Sequence, residues 1–361
     1  MLKLAILGAG GFIGSRAIEL FHLTRAFDVR PVVRRPGAMA RAARFRLDCR
    51  VADVLDRDQL EEAFRGCDAV LHLATGDPRM IAGGVRPVHE AASRAGVRRI
   101  VYMSSASVHG QAPDAGTDEE APLHRRHALP YNNAKVEAER EWKRLRQRGG
   151  PEVVVLRPAI VVGPRSRWVA SCAEELLEGR AYLFDAGRGI CNTVYVDNLL
   201  HAVRLALTVP QAGGETYFVG DRERVTWLEF YEPIARALGI DPATIPRLDR
   251  VPDLRPGVRD RLRALKSTSP IQFGLRYAPL RLKRSVKAAV AAWGDQNSAP
   301  SGGARTGGPQ PTLEMTLLQQ CQWQLPWSKA TAALGYQPVV SSAEGMRRSI
   351  AWLGFAGYPI Q

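Results

Sequence analysis

The turn Gly8-Ala9-Gly10-Gly11-Phe12-Ile13-Gly14 constrains this chain more than any other stretch, because of what flanks it. Before it runs Lys3-Leu4-Ala5-Ile6-Leu7, short and almost wholly apolar, the pattern of a strand buried on both faces. After it, Phe12, Ile13, Ala17, Ile18, Leu20 and Phe21 recur at the spacing of a helix's inner face. Strand, glycine turn and helix in that order form a cradle for phosphates. Gly8 permits the tight turn, Gly11 admits a pyrophosphate to the backbone, and Gly14 lets the helix pack on the strand. The helix opens at Phe12 and Ile13, where unpaired N–H groups and a partial positive charge meet the anion. The spacing is G-x-x-G-x-x-G; the commoner G-x-G-x-x-G fails because position 13 is Ile. Taken alone, the glycines also fit a purely structural turn.

At 361 residues the chain exceeds one ordinary domain, so a nucleotide-binding domain with a second lobe is expected. A hydrophobic content of 45% supports a real core. No stretch approaches the ~20 uninterrupted apolar residues of a spanning helix. The first strand begins almost at the N-terminus, so no signal peptide is expected. Cys49, Cys67, Cys172, Cys191 and Cys321 lack metal-ligand spacing. They fit a reducing cytoplasm with no metal site.

Residues 29–33 read as a second strand ending in Arg34-Arg35-Pro36-Gly37. An NAD-preferring fold places an acid there against the ribose 2′-hydroxyl. Two arginines suit a 2′-phosphate, which guanidinium binds in bidentate fashion, so NADP is the preferred cofactor with NAD as the alternative. Arg50-Val51-Ala52-Asp53 reads as a third strand with Asp53 at its adenine end, Leu60, Ala63 and Phe64 as a helix, and 68–75 as a fourth strand with small residues at its exit. His72, inside that apolar run, reads as a packed core histidine. A helix over 85–95 and a fifth strand, Arg99-Ile100-Val101-Tyr102-Met103, complete an alternation that predicts an α/β, doubly wound parallel sheet.

The fifth strand runs into Ser104-Ser105-Ala106-Ser107-Val108-His109-Gly110, and Tyr131-Asn132-Asn133-Ala134-Lys135 opens the next helix. Tyr131 and Lys135 are four apart and share a helical face. An ammonium beside a phenol favours the phenolate and should lower the tyrosine pKa, helped by an oxidised nicotinamide. Such a tyrosine can exchange a proton with an alcohol or carbonyl oxygen while hydride moves to or from the cofactor. A serine at a strand end can hydrogen-bond the same oxygen.

Together these residues resemble the extended short-chain dehydrogenase/reductase family, also called the NAD-dependent epimerase/dehydratase family. The resemblance covers 1–250 and roughly 321–361. It is carried by the glycine turn, Asp53, His72-Leu73-Ala74, Ser104-Ser105-x-x-Val108-x-Gly110, Tyr131/Lys135 and Leu156-Arg157-Pro158. It implies a Rossmann-type sheet with a smaller C-terminal substrate lobe, a Ser105, Tyr131 and Lys135 catalytic centre, and a homodimer. The implied cofactor contacts are Gly8, Gly11, Phe12, Ile13, Gly14, Arg34, Arg35, Asp53, Val54, Ala74, Thr75, Tyr131, Lys135 and Pro158. It places the nucleotide-binding domain at 1–165, with 191–209 returning to it, and the lobe at 166–250 and 321–361. Within these, 153–156 is the implied sixth strand, 196–209 a helix by periodicity, 215–219 a short strand, and Thr226 caps a helix with Glu229 three residues on.

Two departures narrow the chemistry. Dehydratases of nucleotide sugars carry an acid pair after the catalytic serine or threonine, where Ala106-Ser107 stands. Nucleotide-sugar members also grip the diphosphate with an arginine where Cys191 precedes Val194-Tyr195-Val196-Asp197, although Arg165, Arg167 or Arg188 could substitute. The wording Tyr195-Val196-Asp197-Asn198 looks more like the hydroxysteroid and dihydroflavonol reductase branch. The expected activity is therefore NAD(P)-dependent interconversion of a secondary alcohol and a ketone by hydride transfer, with a small-molecule substrate. The alternatives are a nucleotide-sugar epimerase of the same family and a non-catalytic dinucleotide sensor.

The resemblance does not explain 251–320. Residues 251–293 hold ten Arg/Lys against two Asp, much of the chain's +14 charge. Leu282, Val286, Ala289, Val290 and Trp293 form an apolar stripe flanked by Arg281, Lys283, Arg284 and Lys287. Such a helix over 280–293 can contact an anionic membrane surface, or pack on its own lobe or a dimer partner. Residues 294–312, rich in Gly, Pro, Ser and Asn, read as a flexible loop. No nucleic-acid reader fold accompanies the basic region, so no nucleic-acid partner is expected.

Overall fold

The computed structural model describes residues 1–249 and 308–361. The stripe over 280–293 and most of the 294–312 segment lie outside the described residues.

Seven parallel strands form the central sheet in the order β10-β6-β5-β4-β1-β2-β3. They are β1 (Lys3–Leu7), β2 (Asp28–Val33), β3 (Arg50–Val51), β4 (Ala69–His72), β5 (Arg99–Met103), β6 (Glu152–Pro158) and β10 (Thr216–Val219). This is the doubly wound architecture that strand–helix alternation predicts. Its two faces are legible in the strands' period of two. Leu4, Ile6, Leu71, Val101, Val154 and Leu156 enter one core with α1 (Phe12–Leu23) and α7 (Val196–Thr208). Ala5, Leu7, Val70, Ile100, Val153 and Val155 enter the other with α2 (Arg57–Phe64), α4 (Val85–Arg94) and α5 (Pro130–Arg146). Continuous apolar strands are thus a consequence of burial on both sides.

A short helix the periodicity did not suggest, α3 (Pro78–Gly83), precedes α4, with the Asp77 side chain capping the Met80 amide. The edge strand β10 comes from the chain that follows α7. Its Val219 pairs with Pro158, so the main sheet draws on residues well beyond 165.

The second lobe holds two small parallel pairs. In the first, β7 (Ile160–Val162) pairs with β9 (Thr193–Tyr195); in the second, β8 (Leu183–Phe184) pairs with β11 (Arg247–Leu248). Around them lie α6 (Arg167–Leu177), α8 (Trp227–Ala237), α9 (Leu313–Gln319), α10 (Ser328–Leu334) and α11 (Ser342–Phe355). The Thr226/Glu229 capping box forms as expected. Residues 313–319, assigned by composition to the basic insert, instead belong structurally to this lobe. The Trp227 indole donates to Leu318 O, and Gln319 Oε1 accepts from the Phe184 amide at 2.6 Å. A Thr312 cap and the apolar residues Leu313, Met315, Leu317 and Leu318 explain the helix. Among the described residues no helix is long and apolar enough to cross a membrane.

Gly14 fixes how closely α1 lies on the turn. A Cβ there would stand 2.4 Å from Gly8 O and 2.9 Å from Ala9 Cα, both backbone atoms that cannot swing away. We expect Gly14→Ala to destabilise the fold by about 1–3 kcal/mol, the usual cost of overpacking. Urea unfolding monitored by circular dichroism checks this, and an unchanged midpoint would show that the helix can slide off the turn freely.

Candidate active site and dinucleotide cradle

The expected site residues gather at the carboxyl ends of the parallel strands, where open α/β sheets hold their ligands. Gly8 adopts φ +89, and a Cβ on it would stand 2.7 Å from the Ala74 amide nitrogen. The glycine turn and the β4 exit at Ala74 and Thr75 therefore touch. Gly11 caps α1 without a side chain, and a Cβ on it would meet only Gly8 O, at 3.4 Å. Space thus remains in front of the first-turn amides of Phe12, Ile13 and Gly14, which have no intrahelical acceptor. This glycine-walled opening fits a pyrophosphate.

At the β2 exit Arg34 and Arg35 are exposed, and Arg34 Nη1 makes only a weak 3.8 Å contact with Met80 Sδ. Asp53 lies two residues past β3, its carboxylate accepting from the Leu55 amide at 3.0 Å. Val54 is buried, so only its backbone can face a ligand. Pro158 ends β6.

Ser105, Tyr131 and Lys135 converge where β5 meets α5. Pro130 opens α5 at its first position, which puts Tyr131 in the first turn and Lys135 one turn later. Ser105 caps the 3-10 turn Ala106–His109, its hydroxyl 2.9 Å from Ser107 Oγ, and its side chain works to hold the Tyr131 pKa down. Lys135 is buried, 5.8 Å from the Tyr131 ring centroid, and donates to Met103 O at 2.7 Å and Tyr102 Oη at 3.4 Å.

The electrostatics correct one expectation. Lys135 does not lower the Tyr131 pKa in this arrangement. Although the residue is 39% exposed, crowding around the phenol pushes it up to about 12, with the Ser105 hydroxyl opposing. The lysine is the group pulled down, from 10.5 to about 8, because burial penalises its ammonium; the Glu139 charge opposes that fall. Lys135 directs its hydrogen bonds to Met103 and Tyr102, and its ammonium lies 5.8 Å from the Tyr131 ring centroid.

Sequence reasoning missed the network beneath these residues. Glu139 is buried and accepts from Ser104 Oγ at 2.5 Å and from Arg157 Nη2 at 2.7 Å. Arg157 Nη1 donates to Glu119 O at 2.9 Å and lies 3.1 Å from His109 Nε2. Burial, then the Arg157 charge, lowers the His109 pKa to about 4, so its ring is neutral. The available signal was the four-residue step that puts Glu139 on the same face as Tyr131 and Lys135. His72 is the core residue expected: buried edge-on to Tyr102, with its pKa lowered to about 3 by desolvation.

Cys191 offers a ligand no charge to grip. It is 1% exposed and belongs to the lobe core. Arg188 is paired with Asp185, whereas Arg165 is half-buried beside α1. The Asp197 carboxylate binds the Arg16 guanidinium through two bonds of 2.7 and 2.8 Å, tying α7 to α1.

Comparison with known proteins identifies the family to which this fold belongs. The model of the NAD dependent epimerase/dehydratase family matches residues 4–220. A 3beta-hydroxysteroid-dehydrogenase/decarboxylase of Arabidopsis thaliana is 25% identical over 96% of this chain and 78% of its own length. A 3 beta-hydroxysteroid dehydrogenase/Delta 5-->4-isomerase of Mycobacterium tuberculosis is 30% identical, covering 66% and 70% respectively. The solved UDP-glucose 4-epimerase of Thermotoga maritima superimposes with a TM-score of 0.68 at 18% identity, over 98% of this chain and 99% of that one, a likeness of fold. With its seven-stranded parallel sheet, its glycine cradle and this family match, the chain belongs to the NAD-dependent epimerase/dehydratase family and is an NAD(P)-dependent enzyme of the extended short-chain dehydrogenase/reductase type.

Proposed function

We propose that the enzyme interconverts a secondary alcohol and its ketone, with Ser105, Tyr131 and Lys135 as its catalytic centre. The observation that carries this reading is the convergence at the β5 exit of Ser105, of the Tyr131 ring 5.8 Å from Lys135 Nζ, and of Lys135 bonded to Met103 O. In the reducing direction a nicotinamide supplies hydride to the carbonyl carbon. Tyr131, protonated at neutral pH, donates its phenolic proton to the carbonyl oxygen, and Ser105 holds that oxygen in place. Lys135 places positive charge near the phenolate left behind. In the oxidising direction the same proton returns to Tyr131.

The glycine cradle would hold the pyrophosphate and the Pro158 backbone would border the nicotinamide. The second lobe, built from α6, α8 and α9 to α11 around the two small strand pairs, would close over the substrate. Similarity to hydroxysteroid dehydrogenases and a buried Cys191 in place of a clamping arginine favour a weakly charged substrate over a nucleotide sugar. The deciding experiment is an assay against hydrophobic ketones and alcohols, with UDP-glucose as comparison. Consumption of NAD(P)H in step with product supports a reductase; sugar inversion without net consumption would indicate an epimerase instead.

Two binding predictions follow from the cradle. Gly11→Ala should fold as the wild type does, since its Cβ has room, yet bind dinucleotide at least about tenfold more weakly because the methyl enters the phosphate's path. Exposed Arg34 and Arg35 favour NADP over NAD. Replacing both with Ala should cost about 1.5–3 kcal/mol per lost charged hydrogen bond for NADP and little for NAD. Isothermal titration of both cofactors tests these points, and equal wild-type affinities would remove the arginines from cofactor choice.

A further inference from the structure

Beside the first turns of α1, outside the Tyr131 site, lies a cavity of about 270 Å³ lined by Ser15, Ile18, Arg41, Ala42, Arg44 and Arg165. Three of these residues are arginines and none is acidic. Arg44 is partly neutralised by Glu19 at 2.8 Å, which leaves Arg41 and Arg165 to set the charge. Arg165 is the unusual member. It sits between β7 and α6 at φ +76, a left-handed conformation that a residue with a Cβ adopts only under strain. Its Nη2 is buried and has no hydrogen-bond partner among the described residues. A guanidinium donor stripped of water and left unpaired is costly, and here it borders an opening with net positive charge.

We propose that this cavity is a phosphate-binding subsite in which the half-buried Arg165, through its enclosed Nη2, is the principal ligand and Arg41 the rim charge. A phosphate offers several oxygens to a planar fork of donors, and it fits a pocket with excess positive charge better than a neutral group does. The phosphate has two chemically equivalent sources, the 2′-phosphate of a dinucleotide or a phosphate carried by the substrate. The left-handed Arg165 backbone is then the cost of aiming its side chain inward. The inference goes beyond the alcohol–ketone reading and, being about equilibrium binding, can fail while that reading stands.

The test titrates inorganic pyrophosphate into the full chain at low ionic strength by calorimetry. Saturable binding is expected both at the glycine turn and in the cavity, and the cavity's share is the part that survives saturating NAD. Arg165→Gly should weaken it at least about tenfold while the thermal midpoint holds or rises, because glycine relieves the left-handed strain. Arg165→Lys should retain part of the affinity. Repeating the titration with saturating dinucleotide identifies the source. Displacement by NADP but not NAD assigns the 2′-phosphate, and persistence with both assigns the substrate. Three results overturn the proposal: no saturable binding, wild-type affinity in Arg165→Gly, or displacement of all binding by NAD as readily as by NADP, which would place the probe at the glycine turn alone.

Discussion

Tyr131→Phe should reduce turnover by a factor of about 10²–10⁴, the usual worth of a positioned acid or base, and leave dinucleotide affinity within a few-fold. The phenol acts on the substrate's oxygen, whereas the cradle is built from Gly8, Gly11 and Gly14. Lys135→Met should damage both properties, because the ammonium stands beside the phenolate and Lys135 is also an expected cofactor contact. The alkaline limb of the ketone-reduction profile carries a further expectation. Tyr131 stays protonated to about 12, so the first charge lost on raising pH is that of Lys135, near 8. Activity should decline from there upward. Because the folded pKa of Lys135 lies below its unfolded 10.5, the unfolded chain binds more protons between about 8 and 10.5. Burying the ammonium therefore costs stability below that window, and the cost fades as pH rises through it. Near-wild-type turnover by Tyr131→Phe on a verified substrate would sink the assignment.

Arg157→Leu is expected to cost about 3–5 kcal/mol of folding stability, the range for removing one member of a buried ion pair. Both partners are almost wholly enclosed, with side chains 5% and 6% exposed. The substitution would leave the Glu139 carboxylate with only the Ser104 hydroxyl, and it would also free Glu119 O and His109. Pairing it with Glu139→Leu should recover part of the loss, since no orphaned charge then remains; a double-mutant cycle by urea unfolding measures the coupling. Glu139→Gln addresses the site more directly. It removes the negative charge that holds up the Lys135 pKa, so the alkaline limb of activity should move to lower pH. A profile that falls uniformly with no shift would reduce Glu139 to a packing role.

Much of the Rossmann half was determined by local pattern. Leu4 to Leu7 and Val153 to Leu156 read as doubly buried strands because each residue needs an apolar neighbour on its own side of the sheet. Gly8 and Gly14 declared themselves because no other residue fits φ +89 against Ala74 or a 2.4 Å approach to Gly8 O. The Tyr131–Lys135 face followed from helical geometry alone. What only the tertiary structure decided depends on distant partners. The phenol's pKa is set by crowding that sequence spacing does not report, so an ammonium four residues away proved insufficient to lower it. The Ser104–Glu139–Arg157 network joins β5, α5 and β6, and its strength comes from exclusion of water once those elements close together. Arg165 read as one of several arginines able to replace a missing clamp. Its left-handed backbone and buried, unpartnered nitrogen arise only where the β7–α6 connection meets α1, because burial and strain are properties of packed neighbours rather than of residue type.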